Sequence, residues 1–292
     1  MQMHITDPSY ILHEKTRQYH WEGQAPLSIK AFFSGQALYS VGSGYYAVDD
    51  ASYLLVNHDQ PYAITIEADT AVESFCLFFE PGFAEEVYRS LSTRPDTLLD
   101  EPERLDCAPL HFFERTYRHD DLLSPALFQL RAALDHGIQE QAWLDEQAHD
   151  LMRRLLQVHF NVYKEVEALL PTMRVATREE LYRRLYQARD YTSALFDTPI
   201  TLAEMASVAS LSPNHFLRMF KLLFQQTPYQ YLIAQRLQRA QHLLLHTDRS
   251  VTEICFALGF ESLGSFSWLF RQRVGCSPTT YRTQKGDFGE AS

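Results

Sequence analysis

Thr201-Leu202-Ala203-Glu204 and Ser250-Val251-Thr252-Glu253 share one chemistry and stand 49 residues apart. In an S/T-x-x-E box the hydroxyl takes the amide three residues on, while the carboxylate returns to the first amide. Each box therefore starts a helix. An apolar stripe at i, i+3, i+4, i+7 follows in both: Leu202, Met205, Ala206, Ala209, and then Val251, Ile254, Cys255, Leu258. Tight turns are expected at Ser210-Leu211 and at Gly259-Phe260. A second helix then starts at Ser212, with Pro213 in its first position, or at Ser262. Its buried face carries Phe216, Phe220 and Leu223, matched 50 residues later by Phe266, Phe270 and Arg273. Thr227-Pro228 with Tyr231, and Ser277-Pro278 with Tyr281, close the two units at the same offset. One helix of strong formers, about Pro228 to His246, joins them. Two copies fall short of the three or more that a stacked solenoid needs.

A short helix, a tight turn and a second helix packed through aromatics describe a helix-turn-helix. Two of them bridged by one helix place both second helices on one side, about one DNA turn (~34 Å) apart. The charge agrees. The chain has 292 residues and a net charge of −11, yet residues 1–177 hold 13 Lys+Arg against 27 Asp+Glu, whereas residues 178–285 hold 13 against 8. An acidic part is joined to a basic one. With Phe216, Met219, Phe220 and Leu223 turned inward, the first recognition helix presents Asn214, Leu217, Arg218 and Lys221. Asn suits adenine N6/N7 and Arg suits guanine O6/N7. Ser212, His215 and Lys221 suit phosphates. The second helix presents Leu263, Gly264, Ser267 and Trp268, with Leu263, Ser267 and Trp268 as base contacts and Arg271 and Arg273 as backbone contacts. It lacks a charged donor before Arg271, so the first helix is expected to be the main reader.

The first part reads differently. From Leu27 to Glu80, short β-type runs alternate with turn residues: Leu27–Phe33, Ala37–Val41, Tyr45–Val48, Tyr53–Asn57, Tyr62–Ile66 and Val72–Phe79. That spacing predicts an antiparallel sandwich or barrel. Helical periodicity follows in Phe83–Leu91, Ser124–His136 and about Ala142–Leu170, with a linker at 171–177 and a new helix at Arg178. The stripe Leu144, Ala148, Leu151, Leu155, Val158 predicts a dimer through the helices of about 124–170, or else a cover for the barrel. Rings are dense between 32 and 79, and Phe33, Tyr39, Tyr46, Tyr53, His58 and Tyr62 are the candidate lining of a small-molecule pocket. His58 and Glu67 invite a metal, but no His-x-His occurs and the 12 histidines lack ligand spacing, so no metal or cofactor is expected. Cys76, Cys107, Cys255 and Cys276 form no CxxC pair and read as reduced, mostly buried thiols. The N-terminus has no secretory pattern and no apolar run reaches the ~20 residues of a membrane span, so the expected location is the cytoplasm.

The second part resembles the AraC/XylS family of bacterial transcription regulators. Residues 251–262 read Val-Thr-Glu-Ile-Cys-Phe-Ala-Leu-Gly-Phe-Glu-Ser, followed by Phe266, Phe270, Gly275, Ser277-Pro278 and Tyr281-Arg282. The family's signature is I-x-E-I-A-x-x-x-G-F-x-S…F…F-K/R…G-x-S-P-x-x-Y-R. The first unit agrees through Leu211-Ser212-Pro213-Asn214-His215-Phe216, Arg218, Phe220-Lys221, Pro228, Tyr231, Arg236-Leu237, Ala240 and Leu244. Cys255 stands where Ala is usual, and Gln226 where Gly often ends the first recognition helix. The likeness covers about Arg178–Lys285.

The resemblance implies a multidomain α+β chain. Residues 1–170 would be a cupin-like β-barrel (strands about 27–80) with helices (about 83–170) for sensing and dimerisation, and 178–285 an all-α DNA-binding domain with two helix-turn-helix units. It implies a sequence-specific transcription regulator, not an enzyme, with DNA, a small-molecule effector, a second copy of the chain and RNA polymerase as partners. It places base reading at Asn214, Leu217 and Arg218. The alternatives are a cupin-type enzyme with an accessory DNA-binding module, and an adaptor whose first part binds a protein.

Overall fold

Alternation of buried and exposed side chains builds one antiparallel sheet in the first part. The computed structural model describes residues 3–6, 9–94 and 109–283. Its strands are β1 (Met3–Thr6), β2 (Ser9–Gln24), β3 (Leu27–Ser34), β4 (Gln36–Val41), β5 (Gly44–Asp49), β6 (Ser52–Val56), β7 (Pro61–Phe79) and β8 (Thr116–Arg118). The spine is β7. Its second half pairs with β3 and its first half with β4, while β2 runs along both. The two strands expected from Tyr62–Ile66 and Val72–Phe79 are thus one strand, interrupted where the β2 register jumps from Glu67 to Val72. That irregularity lets one strand serve both flanks of a nearly closed barrel. Strands β1 and β2 carry a weaker sequence signal than the others: β1 is four residues long, and after Tyr10-Ile11-Leu12 the rest of β2 is mostly polar.

Phe32, Tyr39, Val41, Tyr46, Val48, Tyr62, Ile64 and Val72 pack together in one buried cluster of the barrel. One cation is buried with them. Lys30, opposite Cys76 in the β3–β7 ladder, donates to Tyr62 Oη at 2.9 Å and lies 3.7 Å from the centre of the Phe78 ring. Burial pulls its ammonium down to about 8. The unfolded chain then binds the extra proton between pH 8 and about 10.5, so this group's destabilising effect is full below pH 8 and fades as pH rises. Lys30→Met should therefore gain stability relative to the native chain at pH 7. That advantage should shrink by about 2–3 kcal/mol by pH 10, read as the difference between paired urea titrations. The difference cancels buried tyrosines that Lys30 does not touch, such as Tyr46, whose raised value acts in the opposite direction.

Helices α1 (Phe83–Ser92), α2 (Ser124–Asp135), α3 (Gln141–Leu169) and α4 (Val175–Ala194) follow. Leu144, Ala148, Leu151, Leu155 and Val158 of α3 are all buried within the single chain, where α3 packs on α1, α2 and β1. The stripe is therefore a cover, and it no longer argues for a dimer by itself. The chain divides into compact units Met1–Asp190 and Tyr191–Ser292. Helix α4 begins at Val175, not Arg178, and most of it stays in the first unit. The reason lies at its end. Buried Asp190 accepts from the Thr116 amide (2.9 Å) and hydroxyl (2.8 Å), and Arg189 donates to the Thr116 carbonyl at 2.7 Å.

The second unit is all helical: α5 (Leu202–Val208), α6 (Pro213–Phe224), α7 (Pro228–His246), α8 (Val251–Ala257), α9 (Leu263–Val274) and α10 (Pro278–Thr283). Among the described residues no helix is long and apolar enough to cross a membrane. Cys255 is fully buried and packs as a small apolar side chain beside Ile254 and Phe266, while Cys107 lies outside the described residues.

Candidate nucleic-acid interface

Both boxes form as their sequences require. Glu204 N donates to Thr201 Oγ1 (3.2 Å) and Thr201 N to Glu204 Oε2 (2.7 Å). Glu253 N donates to Ser250 Oγ (3.1 Å) and Ser250 N to Glu253 Oε2 (2.6 Å). These bonds to the ionised form hold both carboxyls below their ordinary range. A third box, unforeseen from the sequence, opens α7 through Thr227 and Gln230. Spacing would have found it, since Gln can replace Glu in the motif.

The turns repeat as well. Leu211 N donates to Ala206 O (2.9 Å), and Phe260 N to Cys255 O (3.2 Å). The residue before each is left-handed: Ser210 at φ 52° and Gly259 at φ 73°. At Gly259 a side chain has no room, because a Cβ there would lie 2.7 Å from the Asp197 carbonyl oxygen and 2.8 Å from Arg236 Nη2. Gly259→Ala should cost about 2 kcal/mol or more in urea unfolding, combining left-handed strain with a backbone clash. Ser210→Gly should gain up to about 1 kcal/mol by the converse argument.

Second helices α6 and α9 are fixed by equivalent rings. Phe216 meets Phe220 at 5.3 Å and Phe266 meets Phe270 at 5.7 Å, both at 61° between planes. Tyr231 and Tyr281 complete the clusters from the following helices. All four phenylalanines are fully buried. The left-handed residues that end α6 and α9 are Gln225 and Gly275, so Gln225 rather than Gln226 occupies the glycine position.

With those rings turned inward, Asn214, Leu217, Arg218 and Lys221 stand exposed on α6, and Leu263, Trp268, Arg271 and Arg273 on α9. His215 and Ser267 are half-buried. Trp268 is 61% exposed, so its indole is not packed into the core of this unit. Arg218, Lys221, Arg271 and Arg273 have no carboxylate partner among the described residues. Ser262 uses its hydroxyl to cap Ser265 N at 3.2 Å, whereas the Ser212 hydroxyl makes no cap bond and remains available.

A profile of a helix-turn-helix domain family matches residues 205–284. The transcriptional activator RhaS of Klebsiella pneumoniae is 39% identical over 99 residues, covering 34% of this chain and 36% of that protein. Residues 205–284 are an AraC-type helix-turn-helix domain. The melibiose operon regulatory protein of Escherichia coli is 33% identical over 87 residues, covering 30% and 29% of the two chains. The probable transcriptional regulator LumQ of Photobacterium leiognathi is 34% identical over 93 residues, covering 32% and 38%. A solved AraC-type transcriptional regulator from Chromobacterium violaceum is 27% identical with a TM-score of 0.35, over 38% of this chain and 96% of that one. The DNA-binding domain of AdpA, solved in complex with a target DNA, is 30% identical with a TM-score of 0.35, over 37% and 97%. These alignments span about a third of each curated relative, so the likeness belongs to the AraC-type domain.

In the first unit the six candidate pocket residues are dispersed. Tyr39, Tyr46 and Tyr62 lie in the barrel core, with Tyr39 and Tyr62 at 5.9 Å. Tyr53 stacks on Tyr117 at 5.3 Å, Phe33 packs on Phe75 and Phe128, and His58 is exposed beside Asp59.

Proposed function

We propose that the chain is a sequence-specific DNA-binding transcription regulator whose first unit binds a small-molecule effector. The duplicated α6 and α9 faces carry this reading: exposed, equivalent in position, and furnished with Arg218, Lys221, Arg271 and Arg273, which no carboxylate among the described residues pairs. Asn214, Leu217 and Arg218, with Leu263, Ser267 and Trp268, would read bases. Ser212, His215, Lys221, Arg271 and Arg273 would hold phosphates. Relatives named as regulators support this reading over a cupin-type enzyme. A homodimer contacting RNA polymerase belongs to the same reading.

The test is selection of bound sites from random duplex DNA by the full chain, followed by titration across salt. Enrichment of one motif is expected, with log affinity falling linearly against log salt as counterions are released. No enrichment, or no binding at low salt, would overturn the proposal.

A further inference from the structure

A cavity of about 590 Å³ opens in the first unit among β8, α3 and the last turns of α4. Arg115, Arg118 and Arg189 line it, together with Tyr117 and Tyr186. Arg118 is exposed, and Arg189 is committed to Thr116 and Asp190. Arg115 differs from both. It is 8% exposed, and its guanidinium lies 4.3 Å from the Tyr117 ring centre and 4.1 Å from that of Tyr186. Its Nε is buried with no acceptor, and no carboxylate among the described residues pairs with it.

A buried guanidinium normally has its N–H groups accepted, because desolvating them unpaired is costly. Rings satisfy only the flat faces of the group. Tyr117 also hydrogen-bonds the group, but the buried Nε–H of Arg115 remains without an acceptor, and an oxygen of a carboxylate or phosphate would supply it. The acidic residues of the cavity do not supply that partner. Asp120 accepts the amides of Leu122 (2.8 Å) and Leu123 (2.6 Å) and the Tyr53 hydroxyl (3.3 Å), while Asp121 and Glu165 are exposed.

We propose that this cavity is an effector site and that its ligand is a small organic anion held through Arg115. The inference rests on the regulator reading only for the word effector. Arg189 lines the same cavity while clamping Thr116 and Asp190, the last residue of the first unit within α4. An anion that draws on Arg189 therefore acts on the clamp where α4 continues into the second unit. It biases the protein only in so far as it binds one state better.

Hydrogen exchange on the full chain, free of DNA, tests this with succinate, citrate and inorganic phosphate, each against sodium chloride at equal ionic strength. At least one probe is expected to slow exchange in residues 115–122, 158–165 and 186–190. The protection should vanish in Arg115→Met and weaken several-fold in the exposed-site variant Arg118→Ala. If Arg115→Met does not fold, Arg118→Ala decides. Protection by phosphate alone or by carboxylates alone supports the site and assigns its chemistry. No protection beyond chloride, protection unchanged in the variants, or protection confined to residues 212–221 and 262–273 overturns it. Titration with DNA in the absence of any probe is read separately, so loss of DNA binding would fault the regulator reading and leave the anion site standing.

Discussion

Arg236→Met is expected to destabilise the second unit by about 3–5 kcal/mol and to abolish DNA binding with it. Arg236 lies on α7, 7% exposed, and donates to three carbonyls: Phe196 O from Nε (2.7 Å), Gly259 O from Nη1 (2.8 Å) and Thr198 O from Nη2 (2.9 Å). One side chain thus ties the joining helix to the turn of the second helix-turn-helix and to the segment before the first. Removing it leaves three acceptors without donors, at about 1–3 kcal/mol for each one that water cannot reach. The sum is an upper bound. Burial disfavours the charged form of Arg236 and lowers its pKa, so deleting the cation returns part of the loss. Arg236→Lys should recover less than half, because one ammonium cannot span three acceptors aimed from different segments. Urea unfolding by circular dichroism measures both variants. A change under about 1 kcal/mol for Arg236→Met would show that water replaces the guanidinium.

That role was only half legible. Arg236 stood within the residues that carry the family resemblance, yet its partners come from Phe196, Thr198 and Gly259, and no local period connects those positions. What local chemistry sets was readable. Capping boxes, the apolar stripes and the 50-residue echo of Phe216 and Phe220 in Phe266 and Phe270 depend on neighbours within one helix turn or on exact repetition. The barrel was legible from Leu27 onward for the same reason. Strand β2 was not, because most of its residues after Leu12 are polar and its place comes from pairing with β7. Long-range pairing also hid the Arg115 cavity, since β8, α3 and α4 meet only in the fold. Lys30 did leave a mark, as the one charge in the apolar run from Leu27 to Phe33.

Arg218→Ala should weaken binding to the selected site by about 1–3 kcal/mol and relax base preference at one position. Arg218 is exposed on α6, opposite Phe216 and Phe220, and has no ion pair among the described residues. Its fork is therefore free for a guanine edge. Leu263→Ala should cost less, because an apolar contact to a thymine methyl is the most that side chain can make. Lys221→Ala should weaken all sequences alike and reduce the salt slope by about one unit, as for a lost phosphate contact. The exposure of Trp268 sharpens the contrast between the two helices. A bare indole offers one N–H donor and a broad apolar face, which can press on a sugar or a methyl but cannot make a bidentate base pair contact. Competition against single-base variants of the selected site separates these roles. If Arg218→Ala left the preference intact while Leu263→Ala or Trp268→Ala removed it, α9 would be the main reader, and shape and apolar contact would outweigh hydrogen bonding in how this protein chooses its sites.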